Sequence, residues 1–301
     1  MKRQAILILC GDEYKRLPLL VDQFDERFNI YVHIDKKISL PQTMRKLIKS
    51  KKSVKLLTQS YETNWGSMNI VNATLFLCHE ALADKDNTHF HLISGSDFPV
   101  ATNEQIIESC QTSKDNYFEY FPLPTPRWND GGMSRLEYFH PLDCLDYRNS
   151  KDRERYENFL EVQKVLNIKR KLLDIPYYGG STWWSLSRKC IEYIIRNQNV
   201  NNIYASMQNT YIPDEMFFQT VLLNSPLKRY IKNDNRRYIV WRVKNGHIPA
   251  NLDMEDYAII KNSNCLFMRK TDKSCSEKLV EMIIKQRNCS LKNPFTLHLS
   301  F

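Results

Sequence analysis

The first 121 residues alternate short apolar runs with amphipathic stretches, and few architectures accept that alternation. Ala5–Cys10 (AILILC) stops at Gly11, and a helical set of Leu17, Leu20, Val21 and Phe24 follows. Ile30–Ile34 (IYVHI) leads into Asp35, and Val54–Thr58 forms a third strand-like run. Trp65 to Ala83 then carries Ile70, Val71, Leu75, Leu77, Cys78 and Leu82 at helical spacing. His89–Ile93 breaks at Ser94-Gly95-Ser96-Asp97, and Tyr117–Phe121 reads as a further strand. The pattern predicts an α/β fold with a largely parallel sheet. In such sheets ligands sit beyond the carboxyl ends of the strands, which directs attention to Gly11, Asp35 and the Ser94–Asp97 turn.

Pro122–Asp130, with three prolines and Trp128, interrupts the pattern and reads as a long functional loop. Lys151–Leu173 is highly charged around Phe159, Val162, Val165, Leu166 and Leu172, the composition of a solvated amphipathic helix. An aromatic strand over Gly180–Ser187, a helix over Cys190–Arg196, a segment opening at Pro213, a strand over Tyr238–Trp241 and a helix over Ser276–Gln286 complete the expectation. A chain of 301 residues, 42% of them hydrophobic, can bury a large core as one domain spanning 1–301.

The formal net charge of +9 favours acidic partners, among them nucleic acid, anionic headgroups and sugar-nucleotide diphosphates. No recognisable nucleic-acid motif accompanies it, so nucleic acid is not expected as a partner. Eight cysteines stand singly, without a C-x-x-C pair or zinc spacing, and read as reduced, mostly buried thiols. The apolar run Ala5–Cys10 falls far short of the roughly 18 residues of a spanning helix. A cytoplasmic location is expected, with peripheral contact at the inner membrane surface through a basic face.

Several short segments carry chemistry. Pro213-Asp214-Glu215 suits the first turn of a helix, where carboxylates complement the positive dipole end. Gly179-Gly180-Ser181-Thr182-Trp183-Trp184 places glycines that permit close ligand approach before indole rings that stack on sugars. Asp35 ends a strand where a carboxylate can accept hydrogen bonds from a nucleoside, while His33 reads as a packed strand histidine. The turn holding Ser96 and Asp97 contains one acid rather than an Asp-x-Asp metal pair, and Asp84-Lys85-Asp86 reads as a turn. Without a metal, a departing diphosphate needs other positive charge, and Arg236-Arg237 and Arg269-Lys270 are the two basic clusters placed to supply it.

Taken in order, YVHIDKK (Tyr31–Lys37), NWGSMNIVNATL (Asn64–Leu75), HLISGSDFPV (His91–Val100), GGSTWWSLSR (Gly179–Arg188), PDEMFFQT (Pro213–Thr220), RRYIVW (Arg236–Trp241) and LFMRKTD (Leu266–Asp272) resemble the core-2/I-branching N-acetylglucosaminyltransferase family, which includes the peptide O-xylosyltransferases. The resemblance implies a GT-A type glycosyltransferase fold, with a Rossmann-like nucleotide-sugar half (1–121) fused to an acceptor and catalytic half (122–301). It implies inverting, metal-independent transfer from a UDP-sugar, GlcNAc first and xylose second, to a carbohydrate or lipid-linked glycan hydroxyl. UDP-sugar is then a co-substrate, and no cofactor is expected. Glu215 falls on the family's general base, Lys270 on its phosphate-binding lysine and Asp35 on its donor-side Asp. Arg237 or Arg242 falls on the partner arginine, and Ser96 and Asp97 on the donor side. Glu119, Arg127, Ser181, Trp183 and Trp184 fall on the acceptor side. The alternative is a noncatalytic carbohydrate- or nucleotide-binding protein that keeps the fold.

Overall fold

The structure is a computed structural model that describes residues 2–292. Its strands, in chain order, are β1 (Arg3–Cys10), β2 (Phe28–Ile34), β3 (Val54–Thr58), β4 (Asn87–Ser94), β5 (Phe98–Pro99), β6 (Asn116–Phe118), β7 (Tyr120–Pro122), β8 (Tyr178–Gly180), β9 (Ser185–Ser187), β10 (Ile231–Asn233), β11 (Arg237–Ile239) and β12 (Phe267–Arg269). The main sheet runs β10-β6-β9-β4-β1-β2-β3. β1 to β4 are mutually parallel, and β9 lies antiparallel between β4 and β6. The chain builds β1, β2 and β3 outward, then returns to lay β4 on the other side of β1. That reversal opens a crevice at the carboxyl ends of β1 and β4. A smaller sheet, β11-β12-β5, and a ribbon, β7-β8, border it. This is the α/β architecture, Rossmann-like in its first half, that the sequence predicts.

The strand sequences dictate this layering, because successive side chains on a strand point to opposite faces. Ala5, Leu7, Phe90 and Leu92 pack against the helices Met68–Ala83, Arg188–Arg196 and Phe217–Leu223. Ile6, Ile8, Ile30, Val32 and Ile34 pack on the other side with the helix Leu17–Val21, with β12, and with Leu279 and Ile283 of the helix Glu277–Lys292. Both faces are covered, so the apolar residues of β1, β2 and β4 pack on either side, and their polar residues Gln4, Asn29, His33, Asn87, His89 and His91 are buried with hydrogen-bond partners.

Three expectations change. The strand expected over Gly180–Ser187 is two strands in different sheets, and Tyr117–Phe121 likewise divides into β6 and β7 at Glu119. Tyr120 pairs with Gly180 so closely that a Cβ at residue 180 would overlap the backbone carbonyl of Glu119. Only glycine permits that approach. The segment from Ser181 to Trp184 crosses between the two sheets and separates the two tryptophans. Trp184 is fully buried against Phe218, with ring centroids 5.5 Å apart, whereas Trp183 borders the crevice. Next, Pro213–Glu215 forms a 3-10 turn, and the α-helix starts only at Phe217. Ile212 before it sits at φ 54°, an uncommon conformation for a β-branched residue, with its N–H donating to the carbonyl of Gly66 at 3.0 Å. Last, the charged helix spans Ser150–Val165 and buries Tyr156 and Gln163, while Phe159, Val162, Val165 and Leu166 face outward.

All eight cysteines are free thiols; Cys10, Cys78, Cys110 and Cys190 are buried, and Cys144 and Cys289 are exposed. Among the described residues no helix is long and apolar enough to cross a membrane. Trp184→Ala is expected to cost about 3–5 kcal/mol of stability, the range for removing a buried aromatic side chain. Gly180→Ala is expected to cost about 1–3 kcal/mol, because the β7–β8 ribbon must part. Urea unfolding measures both, and wild-type stability for either variant would contradict the packing described.

Candidate active site

The crevice is a cleft of about 780 Å³. On its first side, β1 ends at Gly11, β2 at Asp35 and β4 at the turn holding Ser96, all three lining it. Glu13 ties the ends of β1 and β4 together: its carboxylate accepts the Gly11 N–H at 2.9 Å and the Ser96 hydroxyl at 3.1 Å. Asp35 donates its N–H to the Cys10 carbonyl at 2.8 Å and accepts the Lys37 N–H at 3.0 Å. Asp97 lies beneath the surface and does not line the cleft. Its carboxylate accepts the N–H and hydroxyl of Ser94 at 3.1 and 2.7 Å and stands 3.3 Å from Arg269. Its role is to hold the turn and the arginine rather than to touch a ligand.

The base of the cleft carries Asp214 and Glu215 in the turn after the strained Ile212. Asp214 is buried and accepts the Thr182 hydroxyl at 2.7 Å, with its other oxygen unpaired. Glu215 accepts from Arg135 at 2.9 Å. Burial raises both carboxyls above their ordinary values, and Glu215 reaches about 7. The neighbouring Asp214 charge adds to that rise, and Arg135 opposes it. Arg135 itself stacks on Trp128, its guanidinium carbon 3.6 Å from the ring centroid. Cation and indole thus form a wall behind the carboxylate.

Positive charge comes from β12 and the residue after it. Arg269 is buried, lies 4.2 Å from the Trp183 ring centroid, and has Nε and Nη1 without hydrogen-bond partners. Lys270 lines the cleft beside it, and burial together with Arg269 lowers the lysine below its ordinary value. Buried guanidinium N–H groups facing a cleft call for an anionic acceptor.

Arg237 does not belong to this cluster. It is buried outside the cleft, and its guanidinium donates to Ser185 Oγ and to the carbonyls of Asn235, Leu92 and Trp184. Its two terminal nitrogens are spent inside the protein, with Nε buried and unpartnered, and Arg242 is exposed away from the cleft lining. Arg269 therefore replaces both as the arginine beside Lys270. Trp184, also buried in the core, is likewise corrected from an acceptor wall to a packing residue.

Of the residues expected on the acceptor side, Ser181, Trp183, Glu119 and Arg127 line the cleft. Glu119 and Arg127 form an ion pair at 2.9 Å on the rim. Ser181 accepts the Trp183 N–H at 3.2 Å and donates no contact to the core by its hydroxyl, while its carbonyl accepts from Gln219 at 2.7 Å. Four of the five tryptophans, Trp65, Trp128, Trp183 and Trp241, border this one cleft. The sequence reading missed Glu13, Arg135 and Trp128 as site residues; the only signal for the last was its place in the proline-rich loop. His33 is the packed strand histidine expected, accepting the Tyr61 N–H at 3.0 Å, and burial lowers it to about 4. Among the described residues no group of three or more His, Cys, Asp or Glu side chains converges as a metal site would.

Comparisons with known proteins bear on the family of the chain. The family described as Core-2/I-Branching enzyme matches residues 5–263. Xylosyltransferase 2 of Rattus norvegicus is 24% identical over 301 aligned residues, covering 92% of this chain and 33% of the relative. Xylosyltransferase 1 of Rattus norvegicus is 26% identical over 224 residues, covering 72% of this chain and 25% of the relative. The chain thus spans about a third of the length of the curated relatives it matches. A solved apo structure of the WbbM bifunctional glycosyltransferase aligns over 95% of this chain and 50% of its own, with 11% identity and a TM-score of 0.45. With its match extending from the first strand to the segment before β12, the chain belongs to the Core-2/I-Branching enzyme family.

Proposed function

We propose that this chain is an inverting glycosyltransferase that moves a sugar from a UDP-sugar to a glycan hydroxyl without a metal ion, using Glu215 as the general base. One observation carries the reading: a single cleft is lined by a carboxyl raised by burial to about 7 together with a buried arginine, ion-paired to Asp97 through Nη1 and with Nε unpartnered, and a lysine beside it. In the proposed reaction Glu215 takes the acceptor hydroxyl proton as that oxygen bonds to the anomeric carbon. The bond from that carbon to the UDP oxygen breaks on the opposite face, and the charge passes to the diphosphate. Arg269 and Lys270 stabilise that growing charge in the role a metal would fill. Asp35 and the Ser96 turn lie where a nucleoside would be received, at the ends of β2 and β4. Trp183 and the Glu119–Arg127 pair are placed to receive the acceptor sugar. The relatives named xylosyltransferase keep xylose beside GlcNAc as the donor sugars to assay.

Glu215→Gln is expected to fold and to retain the thermal shift given by UDP, yet to lose transfer by about a hundredfold or more, as removal of a general base does. Near-wild-type turnover would remove Glu215 from that role.

The pH dependence has a defined sign. The base must be ionised, so kcat/KM should rise with pH through about 7 and then level. Arg135 stabilises the ionised form, so Arg135→Gln should move the rising limb to higher pH. Asp214→Asn, which removes a neighbouring negative charge, should move it lower. A limb that ignores both substitutions would assign it to another group.

Arg269→Gln should weaken the UDP-induced thermal shift, whereas Arg237→Gln should lower the melting temperature of the unliganded protein. Activity should persist in excess chelator; full dependence on added manganese would refute metal independence.

A further inference from the structure

The helix Ser150–Val165 presents its face in reverse. Core contact is made by Tyr156 and Gln163, and the Gln163 amide bridges the backbone N–H and carbonyl of Phe139 at 2.8 and 2.9 Å. Phe159, Val162, Val165 and Leu166 are left between 43% and 74% exposed. Side chains three or four residues apart share one side of a helix, so Lys151, Arg155, Phe159, Val162 and Leu166 form a continuous outward ridge. Glu154, Glu157 and Glu161 repeat at the same spacing along a separate edge, so the ridge itself carries no acid. Asp152 flanks its start, 3.5 Å from Arg155. Exposed Ile168 and Lys171 follow the helix, and exposed Phe139 lies beside Gln163.

A ridge of one helix, apolar along its crest with cations on the same side, matches the interfacial region of an anionic bilayer, where apolar side chains enter the headgroup boundary and Lys and Arg meet lipid phosphate. A stable protein interface needs about 800 Å² from each partner, more than a single convex ridge of half-covered side chains offers. The ridge starts next to the cleft, because Arg148, which lines it, immediately precedes the helix cap Asn149. We infer that the ridge Lys151–Arg155–Phe159–Val162–Leu166 docks the protein on an anionic membrane surface, with the cleft mouth close to the lipid. The inference does not depend on the glycosyltransferase reading.

Co-sedimentation of the full chain with vesicles tests it, comparing phosphatidylcholine alone with phosphatidylcholine containing roughly 30% phosphatidylglycerol. The wild type should bind the anionic vesicles, and rising salt should release it. Phe159→Ser with Val162→Ser and Leu166→Ser should weaken binding by about tenfold or more. Lys151→Gln with Arg155→Gln should weaken it by about fivefold per charge at low salt. Absence of vesicle binding by the wild type, or undiminished binding by the triple serine variant, overturns the inference. So does a wild-type dimer that the triple variant dissociates in sedimentation velocity, since a second copy would then cover the ridge. The melting temperature and far-UV circular dichroism of the same variants should stay at their wild-type values, which shows that a loss of vesicle binding is not a loss of fold.

Discussion

The arrangement of the cleft hangs on a buried arginine that no ligand can reach. Arg237 donates at 3.2 Å to the Leu92 carbonyl near the end of β4 and at 2.7 Å to the Trp184 carbonyl just before β9. Its guanidinium lies 4.8 Å from the ring centroid of Phe267, its partner residue in β12. The large sheet and the small one are thereby joined at one point. A buried charge left without partners costs several kcal/mol, and here neutral oxygens surround it. Burial lowers the group only to about 10, so it keeps its proton at neutral pH. Two residues beyond Phe267 the same strand delivers Arg269 and then Lys270 to the cleft. The internal arginine thus places the one that faces the cleft.

The same contrast shows what a sequence can and cannot disclose. β1, β2 and β4 were legible from the apolar runs at their centres, which pack on both faces of the sheet, and their carboxyl ends located Gly11, Asp35 and Ser96 without further information. The basic clusters were visible as composition, but nothing in RRYIVW or FMRKTD distinguishes an arginine spent on carbonyls from one facing the cleft. Trp183 and Trp184 pose a related problem. Both lie in the crossing between β8 and β9, outside either strand, so which ring turns inward follows only from where the chain leaves β8, and that is decided by the Gly180 contact with Glu119. Trp128 lies in a loop after β7 and Arg135 in the single helical turn Ser134–Glu137, too short for any periodicity to report position.

The two carboxylates at the base of the cleft acquire different environments from one local constraint. The left-handed Ile212, held by the Gly66 carbonyl, reverses the chain so that Asp214 turns inward to Thr182 and Glu215 turns to Arg135. An uninterrupted α-helix starting at Pro213 would instead have set both acids on its first turn, facing the amide end. The break at Met216 lets the turn aim its acids while the helix behind it, Phe217–Leu223, stays wholly buried.

Finally, the ion pairs of Glu119 and Glu215 are built for different strengths. The Glu119–Arg127 pair sits on the rim, with side chains 37% and 58% exposed, and pairs so exposed contribute about 0–1 kcal/mol. Sugar hydroxyls can replace such a contact at little cost. The Arg135–Glu215 pair is far less exposed and is backed by Trp128, so its attraction is screened less. In the proposed reaction the firmer pair governs the ionisation of Glu215, and the looser one gives way to a bound sugar. On that proposal, control of the proton is separated from recognition of the acceptor within a single cleft.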